Sequence, residues 1–143
     1  MTDTNRTALA ALVLRTSLGM LFLAHAGLKY FVFTPEGASG FFASLGLPGA
    51  LAYLVMAAEA AAGIALILGV GVRVVALATL PILLGAIALV HGANGWLFSN
   101  ENGGWEFPAF WAAALVVQAL LGAGAYAVRI PLGDKARTPS LAA

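Results

Sequence analysis

Residues 51–69 read LAYLVMAAEAAAGIALILG, an apolar stretch in which Glu59 is the only charged residue. A helix needs about 20 consecutive apolar residues to cross a bilayer. The stretch therefore predicts a membrane-spanning helix that contains one acid near its middle. Because an isolated charge in hydrocarbon is costly, Glu59 must either pair with a basic group or face an internal cavity. Glu59 is the first candidate for a functional residue.

Three further apolar runs predict three more membrane spans. They cover residues 8–33, 72–90 and 107–126. Glycine and proline are frequent in the connections, and the link that contains Gly69 and Gly71 is so short that spans two and three must form a tight hairpin. We predict an all-α fold, an integral membrane four-helix bundle, as a single transmembrane domain over residues 1–143. In the first loop, residues 40–45 predict a short amphipathic helix in the membrane interface.

The composition of the chain supports this fold class and excludes several functions. Hydrophobic residues make up 62% of the sequence and charged residues only 9%, whereas soluble domains have about 25% charged residues. The formal net charge is +1, with no basic stripe of the kind that nucleic acid binding requires. Cysteine is absent, which excludes disulfides, thiolate nucleophiles and cysteine-bound iron–sulfur clusters. Any redox chemistry must therefore use a bound cofactor.

The distribution of lysine and arginine predicts the orientation of the spans, because cytoplasmic loops of membrane proteins are rich in these residues. Most of the cations fall on one side of the predicted bundle. They are Arg6, Arg73, Arg129, Lys135 and Arg137. Both termini are therefore expected to be cytoplasmic. On the opposite side, aromatic residues near the ends of spans three and four, among them Trp96, Trp105 and Trp111, predict an interfacial belt.

The first apolar run could instead be a secretory signal that is cleaved at the small residues 24–26. The apolar stretch continues beyond that position to Phe33, and Arg15 would interrupt the apolar core of such a signal. A complete first span is therefore the favoured interpretation.

Titratable residues in spans one and two predict a buried contact between the two helices. At 100° per residue, Arg15, His25 and Lys29 share a face about 80° wide, and His25 lies at about the same depth as Glu59. The small residues around Glu59 favour close helix packing. We expect Glu59 to face inward and to meet His25 or Lys29. The alternative is that the pair only locks two helices together.

Further polar residues near the outer side predict a ligand site. His91 ends span three and Glu106 begins span four, so both could surround an outer cavity with His25, Lys29 and Glu59, under a roof of Trp96, Asn100 and Trp105. The full candidate set for ligand binding or proton transfer is His25, Lys29, Glu59, His91, Glu106, Trp105 and Arg15. The alternatives are an ordinary interfacial histidine for His91 and a helix-start acid for Glu106.

Other polar residues have simpler interpretations. Arg15 is expected to extend its long side chain towards the inner headgroups as an anchor, and Gln118 is expected to form a hydrogen bond between helices. The two histidines lie on different helices, but neither their pattern nor their spacing is diagnostic of haem. The ligand cluster that a metal site requires is missing. Catalytic residues are not predicted.

Several motifs of this sequence resemble the DoxX family of small four-span membrane proteins. They are residues 14–29 (LRTSLGMLFLAHAGLK), Glu59 with Gly63 and Leu68-Gly69, Arg73, Val90-His91 and residues 103–108 (GGWEFP). The resemblance points to Arg15, His25, Lys29, Glu59, His91 and Glu106 as site residues. The sequence departs from the family pattern at Ala26, at Trp105 and at Gly122-Ala123-Gly124, where a central proline is usual, but no titratable group is lost.

The resemblance implies a location in the bacterial inner membrane and a link to redox chemistry. Some relatives are subunits of thiosulfate:quinone oxidoreductase or partners in oxidative-stress and thiol-redox complexes. We therefore expect an accessory redox subunit that binds a quinone-like or other small amphipathic molecule. Its expected partners are membrane lipid, a redox protein that supplies the electron carrier, and a second copy of the chain. The alternatives are a small transporter or proton path that uses Glu59, and a membrane scaffold without catalytic function.

Overall fold

The computed structural model describes residues 2–128, and over this range all regular secondary structure is helical. Residues 2–128 form five α-helices. They are α1 (Asp3–Gly27), α2 (Pro35–Ser44), α3 (Ala50–Leu68), α4 (Val72–Ala86) and α5 (Glu106–Leu121). The fold is therefore all-α, as predicted. Arg129, Lys135 and Arg137, which contribute to the orientation prediction, lie outside the described residues.

In the part of the chain that the structure describes, three continuous helical segments are long and apolar enough to cross a membrane. They are Asp3–Val32, Ala50–Leu68 and Val72–Asn94. The first of them combines α1 with a π-helical turn over Leu28–Val32, and the third combines α4 with a π-helical turn over Ile87–His91 and a short 3₁₀ turn. These segments correspond to the first three predicted spans.

The fourth predicted span, residues 107–126, is longer than the helix that the structure contains. Helix α5 has 16 residues, which at 1.5 Å per residue gives about 24 Å, short of the roughly 30 Å of a bilayer core. The helix ends because Gly122 and Gly124 have φ angles of 82° and 70°, which residues other than glycine rarely adopt. The chain then turns back, and the amide of Ala125 donates to the carbonyl of Ala8 in α1.

Two glycines allow α1 and α3 to pack with their backbones in close contact. A Cβ atom added to Gly19 would lie 2.8 Å from the carbonyl oxygen of Gly63, and one added to Gly63 would lie 2.8 Å from that of Gly19. Helix α5 packs against α4 and α1, and α3 also contacts α4. The four helices enclose a core in which Phe22, Leu66 and Leu115 are fully buried.

Helix α2 lies in the first loop and contacts α3 and the π turn that follows α1. Its start is specified locally, because Thr34 accepts a hydrogen bond from the amide of Gly37 (3.2 Å) and Pro35 occupies the first turn. A short helix over residues 40–45 was predicted here, and the structure extends it to Pro35–Ser44. We call the end of the molecule beside α2 the cavity end, and the opposite end, where α3 meets α4, the arginine end.

Candidate functional site

The buried acid of α3 forms an ion pair with a lysine at the end of the first segment. The Nζ atom of Lys29 lies 2.8 Å and 2.9 Å from the two carboxylate oxygens of Glu59. The side chain of Glu59 is 4% exposed and that of Lys29 is 19% exposed. Because each charge neutralises the other at this distance, both can be removed from water. The prediction that Glu59 meets His25 or Lys29 is confirmed with Lys29 as the partner.

Lys29 and His91 reach the site from the two π-helical turns at the cavity end. Lys29 lies in the turn over Leu28–Val32, and His91 is the last residue of the turn over Ile87–His91. A π turn changes the angular position of the residues that follow it, and such turns are frequent at functional sites. Neither turn was predicted, because no residue pattern in these apolar segments marks them.

His25 packs against aromatic rings of α5. The centre of its imidazole lies 4.9 Å from the indole of Trp111, edge to face, and 6.3 Å from the ring of Phe107. Trp111 itself is only 3% exposed, so the prediction that it belongs to an interfacial aromatic belt is wrong. Its Nε1 atom has no hydrogen-bond partner among residues 2–128. Trp111 is thus a wall residue of the site that sequence reasoning did not include.

The loop between α4 and α5 fixes the remaining polar side chains. The Nδ1 atom of His91 lies 2.9 Å from the carbonyl oxygen of Gly103, and Oε1 of Glu106 accepts a hydrogen bond from the amide of Phe98 (2.7 Å). The rings of Trp96 and Trp105 meet edge to face at 4.5 Å. His91 and Glu106 therefore have a defined place on the loop side of the site.

Asn100 does not act as the predicted roof residue. It is exposed, and its Nδ2 donates to the carbonyl of Asn94 at 2.8 Å, so that it stabilises the loop from within.

The ion pair, His25 with its aromatic neighbours, and the residues on the loop side other than Asn100 surround a cavity of about 1360 Å³ at the cavity end. All of the predicted site residues except Arg15 line it. The rest of its wall is aliphatic and aromatic, with contributions from α2, α3, α4, α5 and the loop before α5. Binding sites for small molecules have volumes of about 300–1,000 Å³ and are mostly apolar with a few polar groups. The cavity is therefore large enough for an amphipathic ligand with an apolar tail.

Arg15 lies at the arginine end and makes no part of this cavity's wall. The residue is 1% exposed. Its Nη1 donates to the carbonyl of Leu66 at 2.8 Å and to that of Ile67, and its Nη2 donates to the carbonyl of Ala125 at 3.0 Å. The prediction that Arg15 extends to the headgroups is wrong. The physical reason is that the last carbonyls of a helix have no partner within it and are favourable sites for a cation.

Gln118 also differs from its prediction. Its Nε2 donates to the carbonyl of Gly122 at 2.7 Å, just beyond the end of its own helix. This side chain therefore caps α5 instead of joining two helices.

Comparisons with known proteins agree with the motifs. The model of the DoxX family matches residues 10–92, more than half of the chain. A Bacillus subtilis (strain 168) protein named "Putative oxidoreductase CatD" is 37% identical over 82 residues. The match covers 57% of this chain and 60% of that relative, so the chain spans less than two thirds of the relative's length. No solved structure matches the chain significantly.

Proposed function

This chain belongs to the DoxX family, and on that premise we propose that it is a redox-associated membrane subunit that binds a quinone-like or other small amphipathic molecule in the cavity. The apolar helices and the family make it a multi-pass membrane protein. The observation that supports the proposal most strongly is the cavity itself, an apolar space with the Lys29–Glu59 ion pair in its wall.

The polar groups in the cavity wall suit a ligand that gains or loses protons. Proton-coupled chemistry on a ring requires titratable groups beside an apolar slot. In the proposed site, His25 and Glu59 exchange protons with the ligand, and Lys29 controls the charge of Glu59 by direct contact. The aromatic rings of Phe107 and Trp111, which pack on His25, contact the ring of the ligand.

A partner protein supplies the electron carrier in this proposal. The sequence contains no cysteine to bind an iron–sulfur cluster, and the chemistry of electron transfer belongs to a cofactor. The word "oxidoreductase" in the name of the Bacillus relative supports a redox context. We further propose a four-span bundle in the bacterial inner membrane, with both termini cytoplasmic and the cavity towards the outer side. Membrane lipid, the redox partner and a second copy of the chain are its proposed contacts.

The experiment that tests ligand binding is to fill the cavity. Gly85 lines the cavity, and a Cβ atom added there would meet no atom within 4 Å. The variant Gly85→Leu should therefore fold normally while its side chain occupies the ligand space. We expect quinone or a similar lipid to copurify with the wild type in mild detergent, as identified by mass spectrometry, and to be at least tenfold depleted in Gly85→Leu.

The matched control is Gly40→Leu in α2, where an added Cβ atom also meets nothing within 4 Å. This variant adds the same side chain at an exposed position and should retain the ligand. The proposal is wrong if wild type, Gly85→Leu and Gly40→Leu contain the same small molecules in the same amounts.

A further inference from the structure

The cavity has hydrogen-bond acceptors on the side formed by the loop before α5. His91 uses Nδ1 to contact the carbonyl oxygen of Gly103 at 2.9 Å. A carbonyl oxygen can only accept, so Nδ1 must carry the proton, and Nε2 of the neutral ring is then an acceptor. A Cβ atom on Gly103 would lie 3.6 Å from Nδ1 and 3.7 Å from Cε1. That edge of the ring faces the loop, and because His91 also lines the cavity, we infer that Nε2 is available to a ligand there.

Glu106 adds a second acceptor to the same side. Its Oε1 accepts from the amide of Phe98 at 2.7 Å, and the residue lines the cavity. A carboxylate offers about four acceptor positions, so this one bond leaves most of them to a ligand. His91 and Glu106 are both positioned by the backbone of one loop. Two fixed acceptors therefore lie on this wall, which we call the acceptor wall.

The Lys29–Glu59 ion pair, which lines the same cavity, has different hydrogen-bonding properties. Lys29 uses two N–H groups for the two carboxylate oxygens of Glu59, and an ammonium group has three. The third N–H can donate to an oxygen of the ligand. These groups therefore match a ligand that accepts a hydrogen bond from Lys29 and donates hydrogen bonds to His91 and Glu106.

We propose that the acceptor wall binds a hydroxyl group on the ring of the ligand, so that the cavity prefers a phenol or hydroquinone over the corresponding quinone or ether. This inference rests on the proposed function, because it specifies the class of ring that the cavity accepts. A quinone or an ether would turn oxygen lone pairs towards His91 Nε2 and Glu106. His91 and Glu106 are partly exposed in the free protein, so such a ligand would cover their acceptors without donating to them, and a covered acceptor without a partner costs more than a hydrogen bond exchanged with water.

The test uses three probes with the same ring: trimethylhydroquinone, its dimethyl ether and trimethylquinone. Dissociation constants are measured by calorimetry with the protein in nanodiscs under argon. We expect the hydroquinone to bind at least tenfold more tightly than either other probe, which corresponds to about 1.4 kcal/mol.

The test variant is the double substitution His91→Asn with Glu106→Gln. The asparagine amide can replace the imidazole Nδ1 as the donor to Gly103 but provides nothing at the position of Nε2. The glutamine amide can still accept from Phe98, while its second polar atom becomes a donor. The preference for the hydroquinone should disappear in this variant. It should persist in Glu101→Gln, which changes an exposed acid in the same loop.

The outcomes separate the two proposals. If the quinone or the ether binds the wild type as tightly as the hydroquinone, or if the preference survives in the double variant, the assignment of the acceptor wall is wrong while the proposed function stands. If none of the three probes binds the wild type, both proposals fail.

Discussion

At the scale of single residues, Glu59 illustrates how a buried charge constrains its surroundings. The carboxylate lies in an apolar helix and is almost inaccessible, and both of its oxygens contact the ammonium group of Lys29. Such a pair often adds little net stability compared with two apolar residues, but loss of one partner leaves an uncompensated charge. The same geometry therefore fits a structural lock and a functional site, and the stability and ligand affinity of a variant without the pair distinguish them.

We predict that Lys29→Met alone will destabilise the protein by about 3–5 kcal/mol, because Glu59 is then buried without its partner. The double variant Lys29→Met with Glu59→Met should recover most of this stability, since no charge remains. Unfolding in detergent micelles, followed by circular dichroism, measures both effects.

Ligand affinity of the double variant decides between the two interpretations. If the pair takes part in binding, the stability recovers but the affinity for the hydroquinone probe does not. A double variant that binds the probe as tightly as the wild type would show that the pair is only a lock.

At the scale of the elements, the glycines of α1 and α3 determine how closely the two helices approach. Gly19 and Gly63 face each other's backbone with no space for a side chain, and Ile67 and Leu23 close the contact from the sides. This approach brings the end of α1 near enough to α3 for Lys29 to reach Glu59. The position of the ion pair therefore depends on two residues that have no polar side chain.

We predict that Gly63→Ala will destabilise the protein by about 1–3 kcal/mol, the usual cost of inserting a methyl group into a filled space. The matched substitution Gly85→Ala in α4 has open space around it. It should be neutral or stabilising by up to about 1 kcal/mol, because alanine favours the helix more than glycine. Thermal unfolding of both variants tests the comparison, and equal effects would contradict it.

The elements also show what the sequence did and did not predict. The three long segments follow from uninterrupted apolar length, a property that sequence alone reveals. The end of α5 at Leu121 is less obvious, because the residues after it are small and apolar and only the positive φ angles of Gly122 and Gly124 break the helix. The two π turns that follow α1 and α4 are not marked by any residue pattern in the apolar sequence.

At the scale of the whole molecule, the two ends have different roles. The cavity end contains the ion pair, both histidines and the acceptor wall. At the arginine end, Arg15 joins the last turn of α3 to the segment that follows α5, and the amide of Val128 donates to the carbonyl of Leu68 in the same region. Between the two ends lies the packed core around Phe22, Leu66 and Leu115.

We predict that Arg15→Lys will reduce the stability of the protein by about 2 kcal/mol. Lysine has no planar guanidinium group that can donate to carbonyls of two segments at once. Each hydrogen bond from a charged donor contributes about 1.5–3 kcal/mol. The affinity for the hydroquinone probe should remain within twofold of the wild type, because Arg15 lies away from the cavity. Unfolding and calorimetry are measured on the same preparation. A large loss of affinity without loss of stability would contradict the structural role of Arg15.

The sequence by itself determined the class of the fold and identified most of the polar residues that line the cavity. Apolar length identified the long helices, and the cost of a charge in hydrocarbon singled out Glu59 and a basic partner, because both properties are local to the chain. Only the tertiary structure decided that the partner is Lys29, that Trp111 is buried beside His25, and that Arg15 belongs to the opposite end. These contacts depend on how helices distant in sequence approach and rotate relative to one another. Because the helices are apolar on nearly all faces, no single residue indicates which faces pack together.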